Sequence, residues 1–220
     1  MKKAIMKPIA KKRTTKEIVY DELKKAILDR SIDNQEILTE TLLAESLNTS
    51  RTPIREAVAE LVREGLLVQI PRKGFHVRVV SEGEQEQIMF LRRTIESEGL
   101  KKLARIITEE QINRLNEIVS EQEKAMLKED RVRYIELDQI FHRKILEFAN
   151  QNILGNILQD MYNLARLIGH NALAKEGRMK EVIQEHKDII IALSRKNGEE
   201  AAKLVRHHLD VTVARIKGLN

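Results

Sequence analysis

Ser50-Arg-Thr-Pro-Ile-Arg-Glu-Ala-Val-Ala-Glu-Leu-Val-Arg-Glu-Gly-Leu-Leu67 decides how this chain is read. Ser50 is a favoured N-cap residue, and Pro53 falls in the first turn, where its missing N–H costs no helical hydrogen bond. Ala57, Val58, Leu61 and Val62 follow at helical spacing and make one apolar face. Gly65 ends the run as a residue free to turn left-handed after the last helical position. Arg51, Thr52 and Arg55 cluster at the N-terminal end. That is where a helix lying in the major groove of DNA directs side chains at base edges and phosphates.

The flanking segments support this reading. Thr14 and Glu17 form a capping-box pair ahead of IVYDELKKAILDR. There Ile18, Val19, Leu23, Ala26 and Ile27 supply an apolar stripe for a helix over about 15–30. SIDNQEI is a polar connector, and TETLLAESL (39–47) is a short helix with Leu42, Leu43 and Leu47 inward. Asn48 and Thr49 turn the chain into the Ser50 helix, so the two helices have helix-turn-helix form. After Gly65, LLVQI and FHVRVV are short β-branched runs separated by PRKG, the pattern of a hairpin with a basic tip. In a winged-helix domain that hairpin is the wing. Arg72 and Lys73 would lie beside the nucleic-acid backbone or reach into the minor groove, and Gly74 would let the main chain approach closely.

Charge separates the chain into two parts. Residues 1–80 carry 16 Lys+Arg against 11 Asp+Glu, whereas residues 81–220 carry 23 of each. Residues 1–16 alone hold seven Lys+Arg and no acid, and 1–14 is read as a flexible basic tail. A basic first part beside a neutral second part points to a polyanionic partner for the first alone. The expected boundary falls near Val80–Gly83, giving a DNA-binding domain over 15–80 and a second domain over 81–220.

Composition limits the second domain. The chain of 220 residues is 42% hydrophobic and 33% charged, but only 3% aromatic and without Trp, so its cores must be aliphatic. That favours helices packed on helices. Cysteine is absent, which excludes disulfides and thiolate metal sites and makes a reducing cytoplasm the expected setting. No apolar run approaches the roughly 18 residues of a membrane span. Helices are expected at about 84–105, 109–128, 131–149, 151–172, 178–196 and 199–217. Ser81–Glu84 and Thr108–Gln111 are capping-box pairs, and Asn150, Gly177 and Asn197–Gly198 mark breaks. The fold class is therefore mainly α: a winged helix-turn-helix followed by an all-α bundle.

Five of the six histidines lie in the bundle. Asp138 and His142, at i and i+4 in ELDQIFHRKIL, share one helix face among apolar residues. His186 sits beside the apolar stripe of QEHKDIIIAL, and His207 and His208 are adjacent in LVRHHLDV. Neighbours on a helix point about 100° apart, so only one of that last pair can face inward. Three helices could aim one Asp and three His at one interior point, a donor set suited to Zn²⁺ or Ni²⁺.

The segment TETLLAESLNTSRTPIREAVAELVREGLLVQIPRKGFHV resembles the winged-helix domain of GntR-family bacterial transcription regulators. The remainder, through LDQIFH, EHKDII and HHL, resembles the FCD effector domain of the FadR subfamily, in its six-helix, VanR-like form. The resemblance implies a homodimeric regulator, most often a repressor, that binds a pseudo-palindromic double-stranded DNA operator and no membrane. It implies an effector domain that takes a small carboxylate and often one divalent metal per chain. Carried over by position, the metal ligands are Asp138, His142, His186 and His208, since the family's histidine directly precedes Leu209. Arg92, four residues before Glu96, matches a basic position of the effector cavity, with Arg93 as the competitor; Asn152 and Arg166 are further candidates. Arg51, Thr52, Arg55, Arg72, Lys73 and Gly74 match the DNA-contacting positions. The chain departs from the pattern where Thr41 stands in place of a common Arg after Glu40, and where the usual Pro-Gly before the second helix is DNQEIL.

Two other functions fit the same residues. One is a metal sensor, in which the ion is the signal. The other is a helical metalloenzyme with an appended nucleic-acid domain, because an Asp/His₃ site with open positions can activate water. That second reading lacks a general acid or base: Glu185 is the nearest candidate, and its place beside His186 should turn it away.

Overall fold

A computed structural model of the chain describes residues 13–173 and 177–217. It divides into two compact units, which change over between Val77 and Arg78, with Leu28–Ser31 grouped in the second. The N-terminal residues 1–12, most of the expected basic tail, lie outside the described residues.

The first unit contains α1 (Thr15–Leu28), α2 (Glu40–Ser46), α3 (Arg51–Arg63), β1 (Leu67–Ile70) and β2 (Gly74–Val77). Thr14 and Glu17 exchange both capping-box hydrogen bonds, at 2.8 and 3.2 Å. Val19, Leu23 and Ile27, four apart, form the buried stripe of α1, and Ile18 is left exposed because it lies about 100° from Val19. The same geometry buries Leu43 and Ala44 on α2 and leaves Leu42 outside. Thr39 caps α2 by accepting a bond from the Leu42 amide, whereas Ser50 holds the N-cap position of α3 without a side-chain bond. Ile54, Ala57, Val58 and Leu61 are fully buried, so α3 is seated by one face and presents the other outward. Gly65 closes the helix with φ of 73°, a left-handed conformation that glycine adopts without strain.

β1 and β2 pair antiparallel in register Leu67↔Val77 through Ile70↔Gly74, leaving Pro71, Arg72 and Lys73 as the tip. β2 stops at Val77 rather than running to Val80, because its partner begins at Leu67 and no ladder remains beyond it. The polar connector also contributes to this sheet. Leu38 and Phe75 exchange two backbone hydrogen bonds of 2.8 Å, adding an isolated bridge to the edge of β2.

The described residues of the second unit form helices and no strand: α4 (Glu82–Ile106), α5 (Glu109–Leu127), α6 (Arg131–Phe148), α7 (Asn152–Leu173), α8 (Arg178–Ser194) and α9 (Gly198–Lys217). Ser81–Glu84 and Thr108–Gln111 are complete capping boxes at the starts of α4 and α5. α4 packs most extensively on α9, α5 lies against α6 and α8, and α6 touches α4, α5 and α7. Packing from several sides explains why Tyr134, Leu137, Phe141, Ile145 and Leu146 are all buried around α6. Asp138 and His142 therefore project from this helix into the body of the bundle. No helix among the described residues is long and apolar enough to cross a membrane.

Candidate functional site

In the first unit, α3 carries Arg51, Thr52 and Arg55 on its exposed N-terminal half, and Arg72 and Lys73 are exposed at the hairpin tip. Glu40, in the first turn of α2, holds both arginines. Arg51 Nη2 donates to its carboxylate at 3.1 Å, and Arg55 donates through Nε and Nη2 at 3.1 and 3.0 Å. Arg55's hydrogen bonds, partly opposed by burial, hold the Glu40 carboxyl below its ordinary range. Thr41, exposed beside it, brings no charge.

Gly74 has a role inside the first unit. Its φ is 135°, and a Cβ there would lie 2.2 Å from the Leu38 carbonyl oxygen. The missing side chain makes room for the bridge between Leu38 and Phe75, a close approach within the fold.

In the second unit, Asp138, His142, His186 and His208 each offer one donor atom, and these atoms all lie within 4.8 Å of one another. The three histidines are buried, on α6, α8 and α9. Their rings pack edge to face, stacked and tilted, with centroids 5.0–5.3 Å apart. His142 Nε2 is 3.8 Å from one Asp138 oxygen, and His186 Nε2 is 3.5 Å from the other. His207, by contrast, is exposed, so the last helix turns His208 inward.

Each imidazole is oriented from behind through Nδ1. His186 Nδ1 meets Gln122 Oε1 at 3.0 Å, and His208 Nδ1 meets Glu185 Oε2 at 2.6 Å. His142 Nδ1 lies 2.7 Å from Glu96 Oε2, a close contact whose direction departs from a good hydrogen bond. An acceptor at Nδ1 selects the tautomer whose bare Nε2 is free to bind a ligand. His142 Nε2 and His186 Nε2 are buried with no hydrogen-bond partner. Burial, reinforced by the neighbouring imidazoles, pushes His186 well below the usual histidine range; burial also lowers His208, against the opposing pull of Glu185. Both rings are therefore held neutral, the form in which imidazole coordinates metals. Bare nitrogens, a carboxylate and no thiolate make a donor set that fits a borderline divalent ion.

Burial alone would raise the pKa of Glu96, but the Arg92 guanidinium, with the His142 ring beside the other oxygen, outweighs it and brings the carboxyl down to about 2. Glu185 is likewise brought to about 2, with burial opposed by hydrogen bonds from His208 and Arg178. Glu185 does turn from the His186 side, but it lands on His208 of the neighbouring helix, a contact its own helix does not reveal. A cavity of about 60 Å³ opens beside Asp138 and His208, with Arg92, Tyr134, Arg178 and Thr212 among its lining. Arg92 is buried there, donates to Glu96 at 2.7 Å and keeps Nη2 unpartnered; Arg93 pairs with Asp210 outside.

Two expected cavity residues are not in this lining. Asn152 is exposed at the first position of α7 and borders a separate surface groove with Arg143 and Gln159, because the start of that helix lies away from the buried cluster. Arg166 is half-buried on α7, where Ala165 and Ile168 supply the cavity wall instead. The orienting residues Glu96, Gln122 and Glu185 were not expected. Gln122 interrupts the apolar stripe of Leu115, Ile118, Val119 and Ala125, and Glu96 stands in that of Met89, Leu100 and Leu103. A polar residue at a stripe position was the available signal.

A winged helix-turn-helix with an arginine-led helix, followed by a helical domain with an internal polar site, defines a DNA-binding transcriptional regulator. The chain belongs to the GntR family of bacterial regulatory proteins, whose model matches residues 15–77, and its second part is an FCD domain over residues 87–211. It is 28% identical to the HTH-type transcriptional regulator YdhC of Bacillus subtilis over 195 residues, 87% of this chain and 86% of that one. It is 24% identical to the HTH-type transcriptional repressor RspR of Escherichia coli, over 87% of this chain and 84% of that one. The fold matches the solved structure of E. coli McbR/YncC with a TM-score of 0.78 and 21% identity, covering 94% of this chain and 99% of that one. The relatives and both domains are those of transcriptional regulators, not enzymes, so the metalloenzyme reading falls.

Proposed function

We propose that the chain is a cytoplasmic repressor whose operator binding is set by a small carboxylate at a metal site in its second domain. The DNA-binding part spans residues 15–80 and the effector part 81–220. Asp138, His142, His186 and His208 hold one divalent ion per chain, Zn²⁺ or Ni²⁺, and Arg92 makes a second charge-assisted contact to the effector. The ion supplies Lewis-acid charge to bind the carboxylate. The observation that carries this reading is the set of three imidazoles, each met at Nδ1 by an oxygen, with two partnerless Nε2 atoms buried near Asp138. Repression is supported by the relatives, among them RspR and the gluconate operon transcriptional repressor of Bacillus licheniformis, 25% identical over 203 residues.

The working form is a homodimer on a pseudo-palindromic operator, since a two-fold protein matches a two-fold site. Arg51, Thr52 and Arg55 read bases, and Arg72 and Lys73 hold the backbone. Effector binding shifts the population toward a form that places the two recognition helices off successive major grooves. A difference of about 1–3 kcal/mol between the forms gives a 5–150-fold response.

The test combines elemental analysis of the purified protein with operator binding titrated by a panel of small carboxylates, with and without chelator. One metal per chain and a chelator-sensitive response to a carboxylate are expected. A carboxylate response that survives full metal removal rejects the metal bridge, and a response to metal alone favours the sensor.

A further inference from the structure

Arg51 and Arg55 are exposed, charged and close together, yet neither is loose. One carboxylate on the preceding helix engages both, and its side chain is only 19% exposed whereas theirs are 60% and 65% exposed. We propose that Glu40 is a positioning residue for DNA recognition: it fixes the two guanidiniums so that they read base edges rather than pair freely with phosphates. This rests on the reading of Arg51 and Arg55 as base-contacting residues.

Each guanidinium uses a different edge on Glu40. Arg55 turns its Nε–Nη2 edge to Glu40. Its outer edge, formed by the two Nη groups, is left to fork onto the O6 and N7 of a guanine. Arg51 gives only Nη2 to the same carboxylate. A carboxylate has sites for both. Glu40 thereby ties the orientation of both side chains to the junction of α2 and α3, the two helices of the helix-turn-helix.

Charge adds a second effect. A phosphate approaching either guanidinium also meets the negative charge of Glu40, whereas the acceptors on a guanine edge are neutral. Contacts with bases are therefore penalised less than contacts with phosphates. Such a residue lowers non-specific affinity and preserves specific affinity, so its contribution lies in their ratio.

The experiment measures binding of the full chain to two probes over a range of salt. One is a duplex selected by the wild-type chain from a random-sequence library; the other is a mixed-sequence duplex of equal length. Glu40→Gln keeps the shape and one acceptor but removes the charge. It is expected to lower the specific-to-mixed affinity ratio by at least about fivefold, the low end of what one misplaced bidentate base contact costs. The mixed-sequence salt dependence should steepen by about 0.9 for each guanidinium released to a phosphate. In an Arg51→Ala/Arg55→Ala background, Glu40→Gln should change the ratio no further.

A lowered melting temperature with an intact ratio makes Glu40 merely structural and overturns the inference. So does an unchanged ratio and slope in Glu40→Gln while Arg51→Ala and Arg55→Ala each weaken the selected duplex. An undiminished effect of Glu40→Gln without the two arginines means that Glu40 meets the DNA directly, which also overturns it. If Arg51→Ala and Arg55→Ala leave the selected duplex bound as before, the interface reading itself has failed.

Discussion

Replacing His186 and Gln122 together by leucine should change stability in opposite directions with and without metal. Both side chains are fully buried, and their one mutual hydrogen bond is 3.0 Å long. Each also holds a buried nitrogen, Nε2 in both residues, that has no partner. An unsatisfied buried polar atom costs about 1–3 kcal/mol, while the shared hydrogen bond contributes only about 0.5–1.5 kcal/mol net. Leucine at 186 keeps an apolar surface against Phe141, on which the imidazole ring stacks at 4.1 Å. In chelator the double variant should therefore be more stable than wild type by roughly 1–4 kcal/mol. With free metal at about a thousand times its dissociation constant, wild type gains about 4 kcal/mol by mass action, and the variant, lacking one ligand, does not. Urea denaturation with chelator and with Zn²⁺ reads both signs, and a shift of 2 kcal/mol moves the midpoint by on the order of 1 M. A variant less stable than wild type in chelator, together with a wild type indifferent to metal, would refute both the orphan-nitrogen argument and the ligand assignment.

His208→Ala should empty the metal site, while His207→Ala, which removes an exposed ring, should leave metal content unchanged; elemental analysis of the two proteins decides it. Arg51→Ala or Arg55→Ala should weaken the selected operator by about 1–3 kcal/mol, whereas Lys73→Ala should weaken all duplexes alike and reduce the salt slope by about 1. Gly74→Ala should destabilise the first domain by at least about 1–3 kcal/mol from the strained φ alone, before the overlap with Leu38 is counted; a melt of that variant equal to wild type would be contrary evidence. Acidification should destabilise the chelated protein first through the histidines. Burial lowers His186 and His208 in the folded chain, so the unfolded chain takes up protons first and stability falls as pH drops below about 6.5. Glu96 and Glu185, lowered to about 2, keep their contribution until the ordinary carboxyl range is reached. A denaturation midpoint that rises between pH 7.5 and pH 5.5 would contradict this order.

Local information carried much of the fold. Capping boxes at Thr14, Ser81 and Thr108 marked helix starts because their bonds span only three residues. Gly65 ended α3 for an equally local reason, its left-handed φ. Helical periodicity placed Asp138 and His142 on one face, since a spacing of four residues settles that without any partner helix. Which of two adjacent residues faces inward was harder to read. Ile18 against Val19, Leu42 against Leu43 and His207 against His208 differ by about 100° around one axis, and the neighbouring helix makes the choice. The family pattern selected His208; the packing of α9 shows it buried.

What remained belonged to contacts between distant segments. Glu185 meets His208 across 23 residues, Gln122 meets His186 across 64, and Glu40 meets Arg55 across 15. No periodicity within one helix encodes such a partner, because it depends on how neighbouring elements are packed and turned. Gly74 makes the same point at the backbone: its sequence context suggested a close approach, but only the bridge from Leu38 to Phe75 identified what comes near. Short-range pattern set the elements, their order and the kinds of donor available. Tertiary packing alone decided which donors converge, which atoms orient them and which polar atoms are left buried without a partner, because those are properties of several surfaces meeting and not of any one segment.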